Sequence, residues 1–176
     1  MKADIYQKLT KPMTERDPSA FIGFDKENLY VLHLLHEDTS LSFRDIHPVL
    51  KKIRTNLPFA FLGYYFSVSA SQAARIFERS IDEMAAFLKQ LIIRPKEDDI
   101  RFNLPITFRY RHSNVQSIID CFEIEMEKPS TALFQALSWC NYEKCNLVEY
   151  FISVTADGLI TFISDGVAGR ATDVYC

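Results

Sequence analysis

Two aspartates lie where a carboxylate could take part in catalysis. Asp120 lies within VQSIIDCFEI, a β-branched run that predicts a strand over residues 115–124. A carboxylate is costly to bury in such a strand unless it is paired or bound to a metal ion. Asp173 follows Gly166 and Gly169 in GVAGRATDV, where the backbone can turn sharply. Two carboxylates brought together at strand ends can hold Mg²⁺, and two such ions support phosphoryl transfer; the alternative for Asp173 is a turn-forming role.

The other ligand types show weaker patterns. Side chains alternate along a strand, so Glu123 is predicted on the opposite face from Asp120 and is a poor partner for it. Cys140 and Cys145 have no second Cys or His pair close in sequence, which disfavours a zinc site. The four histidines have no metal-ligand spacing and are predicted at surfaces or helix ends. The sequence contains no P-loop, GxSxG or HExxH motif.

Basic side chains concentrate in one part of the chain. Residues 44–96 carry nine basic and four acidic groups, a net charge of +5. Residues 113–176 carry three basic and nine acidic groups, a net charge of −6. A basic segment followed by an acidic one is typical of a nucleic-acid-binding module joined to a metal-binding module, and chance placement of solvated charge is the alternative.

The basic segment contains a pattern of helix, short turn and helix over about residues 57–91. Pro58 suits the first position of a helix, and Ser69 or Ser71 can cap a longer one. A recognition helix in the major groove places its first residues against base edges and its basic residues near phosphates. An ordinary helical hairpin with a solvated basic face has the same periodicity. The predicted DNA contacts are Gln72, Arg75 and Arg79 on the second helix, with Lys51, Lys52 and Arg54 on the helix before it.

The remaining elements define an α+β chain. Residues 1–20, which hold two prolines among charged and small residues, are predicted as an extended arm. Residues 21–95 are predicted to be helical, and residues 96–112 form a connector. The character then becomes β, with strands predicted over residues 115–124, 148–156 and 159–164 and a tight hairpin at Asp157-Gly158.

Composition limits the class of protein. The chain has 176 residues and a net charge of −3, with 48% hydrophobic and 24% charged residues. These values exclude a disordered or fibrous chain. Neither an apolar stretch of about 18 residues nor a signal-peptide core occurs, so we expect no membrane span and no signal peptide. The absence of an Asn-x-Ser/Thr site and the small number of cysteines favour a reducing compartment.

Several segments together resemble a known family. IRTNLPFAFLGYYFSVSASQAARIF is similar to the helix-turn-helix that precedes a DDE catalytic domain, and IIDCFEIEMEKPS, SWCNYEKCNLVEYFISVTADGLITFIS and GRATD are similar to successive blocks of that domain. The resemblance is to DDE superfamily endonucleases related to PIF/Harbinger transposases, and it covers about residues 21–176. It implies a helix-turn-helix-like region followed, over residues 113–176, by a truncated RNase H-like α/β nuclease domain. It also implies DNA as a partner, a nuclear location, and Mg²⁺ or Mn²⁺ held by Asp120 and Asp173 as catalytic carboxylates.

The sequence departs from that family in ways that bear on activity. In the family a third acidic residue lies well downstream, whereas this sequence ends three residues after Asp173. Glu143, Glu149 and Asp165 stand where the family commonly has basic residues, which weakens phosphate contacts. We therefore expect no nuclease activity from the chain alone, and we expect a separate DNA-binding protein or a second copy of the chain as a further partner. The alternatives are a non-catalytic DNA-binding protein and a degenerate transposon remnant.

Overall fold

Helices form the first half of the described chain, and an antiparallel sheet forms much of the second half. The structure, a computed structural model, describes residues 4–170. The chain divides into two compact units, Met1–Leu91 and Ile92–Cys176. No helix within the described residues is long and apolar enough to cross a membrane. The described part of the first unit contains a π-helical turn (Tyr6–Thr10), a 3₁₀ turn (Lys26–Asn28) and the helices α1 (Lys11–Arg16), α2 (Pro18–Ile22), α3 (Tyr30–Asp38), α4 (Phe43–Thr55), α5 (Phe59–Phe66) and α6 (Ala70–Lys89).

The start of the described chain is helical rather than extended. Pro12 and Pro18 each lie in the first turn of a helix, α1 and α2 respectively. Proline suits this position because it lacks an N–H group and the first turn needs none. The Asp17 side chain accepts a hydrogen bond of 3.1 Å from the N–H of Ala20, which caps α2. Over residues 4–20 the structure therefore differs from the extended arm that the sequence predicts.

The core of the first unit lies among α4, α5 and α6. Helix α6 packs against both α4 and α5. Helix α4 begins with a capping box, in which the Asp45 carboxylate accepts hydrogen bonds from the N–H and the hydroxyl of Ser42. The predicted cap at Ser42 is thus confirmed. The least exposed apolar side chains of this core are Leu35, Ile46, Val49, Leu62, Ala73 and Met84.

The second unit is built around one long strand. Its described elements are α7 (Glu97–Asn103), α8 (Ile106–Arg111), β1 (Ile118–Glu125), α9 (Ala132–Ser138), β2 (Trp139–Cys140), β3 (Cys145–Val154), β4 (Ile160–Ile163) and β5 (Val167–Ala168). Strand β3 pairs antiparallel with β1 along the whole length of β1, from Ile118 opposite Val154 to Glu125 opposite Leu147. Strands β2, β4 and β5 each pair antiparallel with a different part of β3. The predicted α+β class is confirmed.

The hairpin between β3 and β4 turns at the predicted dipeptide. Gly158 has a φ of 96°, a conformation that glycine adopts without strain. The N–H of Thr155 donates a 2.8 Å hydrogen bond to the carbonyl of Leu159 and closes the turn. The β-hairpin at Asp157-Gly158 is therefore confirmed.

Large apolar side chains of the sheet remain exposed. On β1 the exposed fraction is 60% for Ile119, 53% for Phe122 and 47% for Ile124. An antiparallel sheet with one face on a core would show alternating buried and exposed side chains. Strand β1 shows no such alternation, so neither of its faces is covered within residues 4–170.

Candidate functional site

Two helices joined by a short turn form the predicted helix-turn-helix. Helix α5 ends at Phe66, and Ser67 adopts a left-handed conformation with a φ of 59° that reverses the chain. Ser69 then caps α6, because its hydroxyl oxygen accepts a 3.2 Å hydrogen bond from the N–H of Gln72. The Gln72 Oε1 accepts a 2.9 Å bond from the N–H of Ser69 in return. This capping box satisfies two backbone donors and fixes the direction in which α6 starts.

A glycine inside α5 allows the turn to approach the helix closely. A Cβ atom at Gly63 would lie 2.6 Å from the carbonyl oxygen of Val68 and 3.3 Å from the carbonyl carbon of Ser69. The N–H of Val68 also donates a 3.0 Å hydrogen bond to the carbonyl of Gly63. The glycine that this turn needs therefore lies in the preceding helix.

The N-terminal half of α6 presents polar and basic side chains to solvent. Gln72, Arg75 and Arg79 are all exposed, and their spacing places them on one side of the helix. The Arg75 Nε donates a 3.4 Å hydrogen bond to the carbonyl of Ser71, within the same helix. Arg79 forms an ion pair with Asp45 at the start of α4. The structure thus brings the three predicted DNA contacts of α6 together, with Arg79 already held by a carboxylate.

The three predicted cations of α4 have different surroundings. The Lys51 residue is only 7% exposed, and its Nζ lies 3.5 Å from the ring centre of Phe21, a cation–π contact. Burial lowers the pKa of the Lys51 ammonium. Lys52 donates a 2.7 Å hydrogen bond from its Nζ to Asn56 Oδ1, and Arg54 is exposed. Because the Lys51 ammonium packs inside the unit against Phe21, Lys51 is poorly placed to contact a phosphate.

Asp120 lies on β1 and is exposed. Its Oδ1 accepts a 2.9 Å hydrogen bond from the N–H of Cys121, and Ile152 lies opposite it on β3. Its predicted partner, Asp173, lies outside the described residues. Within residues 4–170 no group of three or more His, Cys, Asp or Glu side chains close enough to hold a metal ion includes Asp120. The structure therefore describes only one of the two carboxylates predicted to hold Mg²⁺ or Mn²⁺, and both the metal role of Asp120 and its pairing with Asp173 stay predictions.

A cluster that the sequence analysis did not find lies on the other face of β1. A carboxylate oxygen of Glu123, the Sγ of Cys140 and a carboxylate oxygen of Glu149 all lie within 4.8 Å of one another. Glu123 lies directly opposite Glu149 in the register of β1 and β3. Strand β2 supplies Cys140, which pairs with Cys145 at the start of β3. Strand alternation alone puts Glu123 on this face, but only the pairing of three strands brings the three side chains together.

A buried histidine lies in the first unit, beside a cavity of about 410 Å³. The Nδ1 of His47 is 3.1 Å from the hydroxyl oxygen of Tyr6, which is buried as well. Burial, with a smaller contribution from the charge of Lys11, lowers the pKa of His47 from 6.5 to about 4. His47 is therefore neutral at physiological pH and packs as a polar core residue.

Family models match two regions of the chain. Residues 49–90 match the helix-turn-helix of DDE superfamily endonucleases, a span from the middle of α4 to the end of α6. Residues 119–176 match a DDE superfamily endonuclease, a span that begins at β1. No curated protein and no solved structure matches the chain. Over these two regions the chain is similar to DDE superfamily endonucleases.

Proposed function

We propose that this relative of DDE superfamily endonucleases is a transposase-derived protein that binds DNA through its helix-turn-helix. The observation that carries the proposal is the exposed, basic N-terminal half of a capped α6, in a region that matches the helix-turn-helix of that family. The capping box and the close approach at Gly63 hold α6 at a fixed angle to α5. A rigid helix with its first turns exposed is the element that enters the major groove in proteins of this kind.

Individual side chains would have distinct tasks in the proposed complex. Gln72 and Arg75 lie in the first two turns of α6, where a recognition helix reaches base edges. Arg79, one turn further, and Lys52 and Arg54 on α4 would contact phosphates. Phosphate contacts supply affinity and orientation, whereas base contacts supply sequence preference.

The nuclease part of the proposal concerns Asp120 and Asp173. As in PIF/Harbinger transposases, which the sequence resembles, these two carboxylates would hold Mg²⁺ or Mn²⁺ on an RNase H-like sheet over residues 113–176. Bound divalent ions would supply an activated oxygen nucleophile and neutralise charge on the phosphodiester. In that family a third acidic residue completes the site, and a partner protein or a second copy of the chain is a proposed further component of the complex. The proposed DNA substrate would be consistent with a nuclear location.

A non-catalytic DNA-binding protein and a degenerate transposon remnant are the competing functions. A salt series separates the remnant from the proposal, and a cleavage assay separates the non-catalytic protein from it. The full chain is titrated against a random-sequence DNA duplex at several salt concentrations, because the slope of log affinity against log salt counts the phosphates that are neutralised. The remnant predicts no salt-dependent binding. The non-catalytic protein predicts binding that Asp120→Ala leaves unchanged, with no cleavage when Mg²⁺ or Mn²⁺ and a nuclear extract are added.

Two matched charge deletions on one helix test the interface itself. Arg75→Ala removes a cation from the proposed contact face, and Lys89→Ala removes one near the other end of α6, about 21 Å away at 1.5 Å per residue. We expect Arg75→Ala to weaken binding about tenfold and to reduce the salt slope by about 1. Lys89→Ala should leave both values unchanged. Equal losses in the two variants, with unchanged circular dichroism, would mean that α6 does not bind DNA through its N-terminal half.

A further inference from the structure

Three metal-ligating side chains converge on the face of the sheet that does not carry Asp120. Glu123, Cys140 and Glu149 come from β1, β2 and β3, and one ligand atom of each lies within 4.8 Å of the other two. We propose that these side chains bind one Zn²⁺ ion. The proposal uses different side chains from the predicted carboxylates Asp120 and Asp173, and it does not depend on DNA binding.

Strand pairing fixes the positions of the ligands. The antiparallel register puts Glu123 directly opposite Glu149, and directly opposite side chains of a pair lie about 4.5–5.5 Å apart at Cβ. Strand β2 joins the same central strand through the pairs Trp139 with Asn146 and Cys140 with Cys145. Each ligand therefore sits on a hydrogen-bonded strand, and a site on paired strands is held more firmly than one on loops.

The Cys140 thiol is buried beside the two carboxylates. Cys140 is 8% exposed, and its thiol is not in a disulfide. Its Sγ lies within 4.8 Å of a carboxylate oxygen of Glu123 and of a carboxylate oxygen of Glu149. A thiol placed there gains little from packing, whereas a thiolate bound to a divalent cation gains a strong ligand bond.

The chemistry of the donors selects zinc over the hard cations. Thiolate ligands favour Zn²⁺, while Mg²⁺ requires oxygen ligands in an octahedral arrangement. Tetrahedral zinc, with bonds of about 2.3 Å to sulfur and about 2.1 Å to oxygen, needs ligand atoms about 3.4–3.6 Å apart. The ligand atoms lie within 4.8 Å of one another, so zinc binding would draw them closer by up to about 1 Å.

A cavity adjoins the three proposed ligands. The cluster lines a cavity of about 800 Å³ whose wall also includes Asp120, Tyr142 and Arg170. Three protein ligands with a vacant fourth position are typical of zinc sites that bind water or an exchangeable ligand. The Arg170 guanidinium would favour an anionic ligand at that position.

Cobalt and zinc titrations of the full chain test the proposal. The chain is stripped with a chelator and titrated with Co²⁺, whose thiolate complexes absorb in the near ultraviolet, and then with Zn²⁺ against a chromogenic chelator. We expect one Co²⁺ per chain with a thiolate band, displacement by Zn²⁺, and no displacement by Mg²⁺. Cys140→Ser should abolish the band and weaken Zn²⁺ binding at least about tenfold. Cys145→Ser removes the neighbouring thiol in the same strand pair and should leave the band and the affinity intact.

Several outcomes would overturn the assignment. These are the absence of stoichiometric binding, a band that survives Cys140→Ser, or a band lost equally in Cys145→Ser. If Cys140→Ser does not fold, Glu123→Gln at an exposed position serves instead, and it should weaken Zn²⁺ at least about tenfold with unchanged circular dichroism. Unchanged Zn²⁺ affinity in that variant would refute the site. The titrations contain no DNA, so a variant that fails to bind DNA would bear on the proposed helix-turn-helix function and not on the zinc site.

Discussion

Replacing Gly63 with alanine tests whether the turn between α5 and α6 needs a close backbone approach. The new Cβ would lie 2.6 Å from the carbonyl oxygen of Val68, where an ordinary contact is 3.4–4 Å. The atom that the new Cβ would meet belongs to the backbone of Val68, which cannot rotate away as a side chain could. The N–H of Val68 also donates a 3.0 Å hydrogen bond to the carbonyl of Gly63. The turn must therefore move by about 0.8 Å or α5 must shift, and both changes disturb the start of α6.

Two opposing terms set the magnitude. Overpacking a fixed contact costs about 1–3 kcal/mol. Alanine in a helix interior is favoured over glycine by about 0.5–1 kcal/mol. We expect the first term to exceed the second, so that Gly63→Ala lowers the free energy of unfolding by about 1 kcal/mol. For a unit the size of Met1–Leu91 this corresponds to a Tm lower by about 4–8 °C.

Urea and thermal unfolding, followed by far-ultraviolet circular dichroism, provide the assay. Ala60→Gly, on the exposed side of the same helix, is the matched control and should cost about 1 kcal/mol through helix propensity alone. The two substitutions go in opposite chemical directions, yet both should destabilise α5. Gly63→Ala could instead raise the free energy of unfolding by as much as Ala60→Gly lowers it. That result would mean that Gly63 faces open space, and it would refute the close approach.

Two further predictions concern buried titratable groups of the first unit. His47 in the unfolded chain gains a proton below pH 6.5, whereas folded His47 stays neutral down to about pH 4. The free energy of unfolding should therefore fall by about 3 kcal/mol as the pH drops from 6.5 to 4. Above pH 6.5 this contribution of His47 should be present in full. Urea unfolding of the native chain and of His47→Gln at each pH checks this, and parallel curves would contradict it. Lys51→Met should leave DNA affinity and its salt slope unchanged, because the Lys51 ammonium packs against Phe21. A slope reduced by about 1 would show that Lys51 does reach a phosphate.

Local chemistry made part of this structure predictable from sequence. Ser42 and Ser69 carry cap signals that depend on residues within three positions, and both begin helices in the structure. Asp157-Gly158 specifies its hairpin in the same local way. Strand alternation correctly separated Glu123 from Asp120, since the period of two holds along any strand.

Features that depend on distant contacts were not predictable in this way. Helical periodicity put Lys51 on a solvated side, but Phe21, far away in sequence, covers it. The cluster of Glu123, Cys140 and Glu149 requires the register of two strand pairs, which no short motif encodes. Prolines near the start suggested an extended arm because proline in isolation ends helices, whereas Pro12 and Pro18 begin them.

The ion pair between Arg79 and Asp45 affects how the proposed interface exchanges ions with its solvent. A phosphate that recruits Arg79 displaces a carboxylate, so the arginine exchanges one anion for another. Asp45, whose side chain is 17% exposed, then attracts a cation from the buffer. That uptake offsets the cation released from the DNA, and Arg79 adds less than one ion to the salt slope although it carries a full charge. The number of ions released on binding would therefore be smaller than the number of arginines and lysines in contact.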